Sequence, residues 1–148
     1  MERITLKSLC AALLLLGAGA GQITAQPILR LPSIIGDHMV LQENSNVKIW
    51  GWAEPNKEVL IIPSWSQDTV RTKSTGDTKW LASIQTPAAD NRTYTLTVQT
   101  QQRKIEVKDI LVGQVWLCGG QSNMNYSAAQ GITDMQEELQ KPMNPTIR

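Results

Sequence analysis

Between residues 27 and 109, apolar and polar positions alternate in short runs that are broken by turn residues. Val47, Ile49, Trp50 and Trp52 open the first strong run, and Val59 to Ile62 form a second that closes at Pro63. Thr69 to Ser74 alternates weakly before a Thr75-Gly76-Asp77 turn. Trp80, Ala82 and Ile84 fall on one face of the next run. Tyr94, Leu96 and Val98 then alternate with threonines, and Ile105 and Val107 resume the pattern after a polar turn at Gln101-Gln102-Arg103. A period of two, β-branched and aromatic residues, and closely spaced turns predict an antiparallel β-sandwich. The threonines suit sheets with one wet face.

The pattern changes at Asp109. Ile110 to Cys118 is mostly apolar and does not alternate, which predicts a strand covered on both faces, as in a parallel sheet flanked by helices. A helix is expected over about Thr133 to Gln140, capped by Thr133 with Gln136 at the capping-box position, and ended by Pro142 and Pro145. Met135 and Leu139 lie four apart on one face, and Asp134 with Glu137-Glu138 forms a solvated side. The segment Asn144 to Arg148 reads as the entry to a further strand. The expected organisation is therefore three segments: 1–25, a mostly β domain over 26–109, and the opening strand–loop–helix of an α/β unit over 110–148. One βα unit leaves its sheet edges unpaired and cannot close a core.

Segment 1–25 has Arg3 and Lys7 before an apolar block, Leu9 to Leu16, followed by small residues up to Ala25. This is the layout of a secretory signal peptide, and the block is too short for the ~20 residues that span a bilayer. The expected destination is secreted or periplasmic, with no membrane span left after cleavage. Cleavage removes Glu2, Arg3 and Lys7, so totals of 14 basic and 13 acidic side chains fall to 12 and 12. With no basic stripe, nucleic-acid binding is not expected. A single remaining thiol, Cys118, forms no internal disulfide and reads as a small buried hydrophobe. No Cys/His cluster suggests a metal site.

The stretch Val115-Trp116-Leu117-Cys118-Gly119-Gly120-Gln121-Ser122-Asn123-Met124 carries the candidate chemistry. Glycines let a backbone turn tightly, and a serine between a strand and a helix presents a hydroxyl above a sheet edge. Backbone N–H groups near such a turn stabilise an oxyanion. The G-x-S-x-G elbow is not present, since Met124 occupies the last position. On spacing alone Ser122 is either a nucleophile or a helix N-cap.

The string "GQVWLCGGQSNM" resembles the nucleophile block of sialate O-acetylesterases and related carbohydrate acetylesterases of the SGNH-hydrolase type, which often reads G-D-V-W-L-C-S-G-Q-S-N-M. Gln114 and Gly119 depart from that pattern without touching the serine. Upstream, "IIGDHMVLQENSNVKIWGWAEPNKEV" is similar to the family's N-terminal entry, with Asn56-Lys57 where a glycine is expected, and Asn144 to Arg148 resembles its P-x-I-R step. The resemblance spans about residues 31 to 148. It implies that Ser122 is the nucleophile, with its own N–H in the oxyanion hole, and that Gly120, Gln121 and Asn123 shape the loop. It implies removal of O-acetyl groups from sialic acid or another acetylated glycan, acetylated xylan included, with no metal or organic cofactor.

The family's other oxyanion donors, and a histidine with an aspartate shortly before it, belong to later blocks that have no counterpart here. The one histidine, His38, precedes the serine and reads as a loop or strand-edge residue. The expectation is an enzyme fragment, inactive alone, whose partner would be the missing C-terminal part of the hydrolase. The alternative is a non-catalytic β-sandwich module that binds glycan or another domain. The tryptophans at 50, 52, 65, 80 and 116 bear on that alternative. Trp50 and Trp52 share one side of a strand, where core packing is the expected role. Trp65, after Pro63, is the best candidate for an exposed aromatic.

Overall fold

A computed structural model describes residues 26–125 and 135–148. Eight strands appear in chain order: β1 (Leu29–Arg30), β2 (Val40–Gln42), β3 (Asn46–Ala53), β4 (Glu58–Pro63), β5 (Val70–Lys73), β6 (Lys79–Gln85), β7 (Tyr94–Gln99) and β8 (Lys104–Gly113). They form a three-stranded sheet, β1-β3-β6, and a five-stranded sheet, β2-β8-β7-β4-β5. The protein is mostly β. One short 3-10 turn, Ser122–Asn125, and one short helix, α1 (Met135–Glu138), follow.

Period-two burial explains how these residues make these sheets. In β6 Trp80, Ala82 and Ile84 point inward, and in β7 Tyr94, Leu96 and Val98 do so. They meet Ile49 and Ala53 of β3 and Val59 and Ile61 of β4 in one core cluster fed by both sheets. Ile49, Ile61, Ile84, Leu96 and Ile110 are almost wholly buried, and each side chain of that size contributes roughly 1.5–3 kcal/mol by leaving water. Among the described residues the buried polar side chains are Ser74 and Thr86, and both are hydrogen-bonded. Thr86 Oγ1 donates within reach of Gln42 O at 2.6 Å and Ser45 O at 3.0 Å, and accepts from Ser45 N at 3.0 Å. Ser74 Oγ accepts from Lys57 N at 2.9 Å and donates to Glu54 O. Both pin turns at strand ends, where backbone groups would otherwise be orphaned.

Two expectations about the sheets change. The pairing is not wholly antiparallel, because β2 runs parallel to β8, with Val40 opposite Leu111 and Gln42 opposite Gly113. Some 70 residues separate these partners, so no tight turn dictates their direction. β1 and β2 are also too short to carry a readable alternation. Second, the apolar run after Asp109 does not begin a new strand. Ile110, Leu111 and Val112 belong to β8, which runs through Asp109 without a break.

The lost alternation has a local contribution, besides the burial of Ile110, Leu111 and Val112 in succession. Tyr94 pairs with Ile110 but Leu96 pairs with Val107, so β8 carries one extra residue between those positions. Asp109 sits there with φ 53°, a left-handed conformation that Asp tolerates better than most residues. The bulge reverses the parity of the strand. Val107 faces the core before it, and Ile110 and Val112 face the core after it.

Candidate active-site segment

β8 ends at Gly113, and hydrogen bonds hold the chain beside the end of β2 as it leaves. Glu43 N donates to Gly113 O at 2.9 Å, Gln114 Nε2 donates to Glu43 Oε1 at 2.6 Å, and Val115 N donates to Gln42 Oε1 at 2.9 Å. Beyond that anchor, residues 115–120 form no strand. Trp116 is 82% exposed and Leu117 fully so, and Cys118 is exposed too. The two-sided strand expected here, and the buried Cys118, are thus not what the structure has. Among the described residues, no neighbouring strand or helix covers this segment, so its apolar side chains have nothing to pack against.

Gly119 has open space where a Cβ would be, whereas a Cβ on Gly120 would meet Met124 Cγ at 3.0 Å. Met124 folds back over Gly120 because Ser122 to Asn125 make a 3-10 turn, closed by Met124 N donating to Gln121 O at 2.9 Å. Ser122 and Gln121 are exposed, and Asn123 lies within the turn. Among the described residues the Ser122 hydroxyl has no hydrogen-bond partner. It neither caps a backbone N–H nor meets a base. Thr133, the expected helix cap, lies outside the described residues; α1 is the described part of the expected helix. The Asn144–Arg148 tail turns rather than extending as a strand. Thr146 N and Thr146 Oγ1 both donate to Asn144 Oδ1, at 3.0 and 2.8 Å, and Ile147 N donates to Asn144 O at 3.2 Å.

His38 occupies the turn before β2, also with a left-handed φ of 66°. Its Nδ1 lies 2.6 Å from Asp109 Oδ2. Arg148 grips the same aspartate, with Nη2 2.9 Å from Oδ1 and Nη1 donating to the Asp109 carbonyl. The Arg148 hydrogen bond, and then that of His38, hold the Asp109 carboxyl below its ordinary value. An ionised carboxylate only accepts, so the His38 proton in this contact sits on Nδ1. No hydrogen bond joins His38 to Ser122. The trio instead ties the end of the described chain to the bulge of β8. Asp109 and Arg148 are the residues that sequence reasoning overlooked here. The signal for Asp109 was the parity break itself.

The tryptophans are also redistributed. Trp65, expected to be exposed, is half-buried, packs edge-on against Tyr94 at 5.5 Å, and donates Nε1–H to Gln85 O at 2.8 Å. Trp50 and Trp52, expected in the core, lie on the outer face of β3, because Ile49, Gly51 and Ala53 take the inward positions. Gly51 is what makes that parity possible. Its missing Cβ leaves room for the Trp80 indole, which would otherwise lie 2.9 Å away.

No family model matches the chain. It is similar to sialate O-acetylesterase of Mus musculus, 33% identical over 119 residues that make up 74% of this chain and 22% of the relative. The Homo sapiens sialate O-acetylesterase is 34% identical over 111 residues, 68% of this chain and 21% of the relative. Among solved structures, a carbohydrate acetylesterase from Xanthomonas citri superposes with a TM-score of 0.60 at 33% identity, over 68% of this chain and 22% of that one. The chain thus spans about a fifth of the length of the relatives it matches.

Proposed function

Because the chain belongs to the sialate O-acetylesterase family, we propose that Ser122 is the nucleophile of a carbohydrate esterase acting on O-acetylated sialic acid or another acetylated glycan. The observation that carries this reading is the Gly-Gly-Gln-Ser-Asn-Met turn, which leaves an exposed serine hydroxyl with no hydrogen-bond partner among the described residues. In the proposed reaction Ser122 Oγ attacks the acetyl carbonyl and its proton passes to a base. The Ser122 N–H helps to hold the oxyanion, and the sugar hydroxyl leaves as the acyl-enzyme forms. Water then releases acetate. Gly120, Gln121 and Asn123 shape the turn around the hydroxyl.

A serine hydroxyl is a weak nucleophile without a base to take its proton. These 148 residues contain one histidine, and it is bound to Asp109. The base is therefore assigned to a part of the enzyme outside them. We further propose that the two sheets form a sandwich-like module, that the segment after β8 opens an SGNH-type hydrolase unit, and that residues 1–25 direct the protein to the periplasm or outside the cell.

The reading is tested by joining residues 26–148 to the remaining length of the mouse relative. That chimera is expected to release acetate from O-acetylated sialic acid, and Ser122→Ala to lower the rate by about 10⁴-fold or more. A folded chimera that hydrolyses the ester equally well with alanine at position 122 would overturn it.

A further inference from the structure

The outer face of the three-stranded sheet has a groove that the esterase reading does not use. Its volume is about 630 Å³, and it runs where β6, the edge of that sheet, meets β5. Thr72 Oγ1 bridges the two strands by donating to Leu81 O at 2.9 Å. Trp50 and Leu81 sit directly opposite each other in the β3–β6 register, and both are exposed. Trp52 lies beside them, with the Arg30 guanidinium 5.6 Å above its ring. Lys73 and Lys79 line the groove, and no acidic side chain does.

Two features of this groove point to one class of ligand. Indole faces offer flat apolar surfaces that match the C–H face of a pyranose ring, while their surroundings remain polar enough for hydroxyls. Lys73 and Lys79 make no ion pair among the described residues, so their charge is available to a ligand.

We propose that this groove binds an acidic glycan, a chain of pyranose rings bearing carboxylates, with rings stacked on Trp50 and Trp52 and the carboxylates met by Lys73 and Lys79. The site uses no residue of the Ser122 turn. Binding therefore survives Ser122→Ala, and its failure is separable from failure of the esterase reading.

The test is a titration of the full chain, followed by tryptophan fluorescence and calorimetry. Sialyllactose and trigalacturonate serve as acidic probes and lactose as the neutral control. Both acidic sugars are expected to bind saturably and about tenfold more tightly than lactose, a preference that shrinks as salt is raised. Trp50→Ala is expected to weaken all binding by about tenfold or more. The double change Lys73→Gln and Lys79→Gln, on exposed side chains, removes the preference for the acidic sugars but spares lactose. Absence of saturable acidic-sugar binding, or equal binding by Trp50→Ala, would overturn the proposal. So would a dimer of the chain that Trp50→Ala dissociates, because the groove would then belong to a second copy.

Discussion

Gly51 shows how a single missing side chain sets the chemistry of a whole face. A Cβ there would lie 2.3 Å from Arg30 O and 2.9 Å from Trp80 Cζ2, and the first of these is backbone that cannot rotate aside. Gly51→Ala must therefore push β1 away from β3 or displace the Trp80 indole. Overpacking of this kind costs about 1–3 kcal/mol, and a lower denaturation midpoint in urea with an unchanged slope is expected. A midpoint equal to that of the parent would mean that the contact between Gly51 and β1 is not tight. The same glycine accounts for a misread pair of residues. Trp50 and Trp52 are large aromatics on a strand of apolar neighbours, and core packing was the natural expectation for them. What sends them outward is the smaller set, Ile49, Gly51 and Ala53, which fits against β6 and the inward-facing Trp80. The parity was legible in the sequence, but which parity faced the core depended on a partner strand that the sequence did not identify.

At the scale of elements, β8 carries the main lesson. The alternation of Ile105 and Val107 in it was readable, as were β3, β4, β6 and β7 to within a residue or two. The change of pattern at Asp109 was also real: a bulge reverses the parity there, and Ile110, Leu111 and Val112 beyond it are all buried. An inserted residue and a two-sided environment both abolish period-two burial, so periodicity alone does not separate them.

The bulge matters further because Asp109 is the point at which the chain's last described residue is fastened. Its carboxyl is held below 3.8 chiefly by the hydrogen bond from Arg148 and secondarily by that from His38. A group whose value is depressed on folding stabilises the folded form above its unfolded value and ceases to do so as pH falls through the folded one. The Arg148 fastening is thus complete above about pH 4 and released in stronger acid. Followed by carboxyl chemical shift, Asp109 is expected to titrate below 3.8, and Arg148→Ala to move its midpoint upward. An unmoved midpoint would show that Arg148 does not hold this carboxylate in solution.

For the molecule as a whole, two halves of the problem were unequally legible. The mostly β character followed from alternation, and the family followed from a few motif residues around Ser122. The surroundings of that serine did not follow. The exposed Trp116, Leu117 and Cys118 differ from the buried strand expected of them, since burial depends on covering elements that the segment itself does not encode. The groove beside Trp50 was likewise hidden, because β3, β5 and β6 contribute to it from positions far apart in the chain. The central claim is that these residues hold a nucleophile without its base. Hydrolysis of nitrophenyl acetate by the 148-residue chain, beside its Ser122→Ala form, tests it most directly. The two rates are predicted to be the same and no faster than the buffer. A rate that depends on Ser122 would contradict the account, because a base for that serine would then have to lie within this chain.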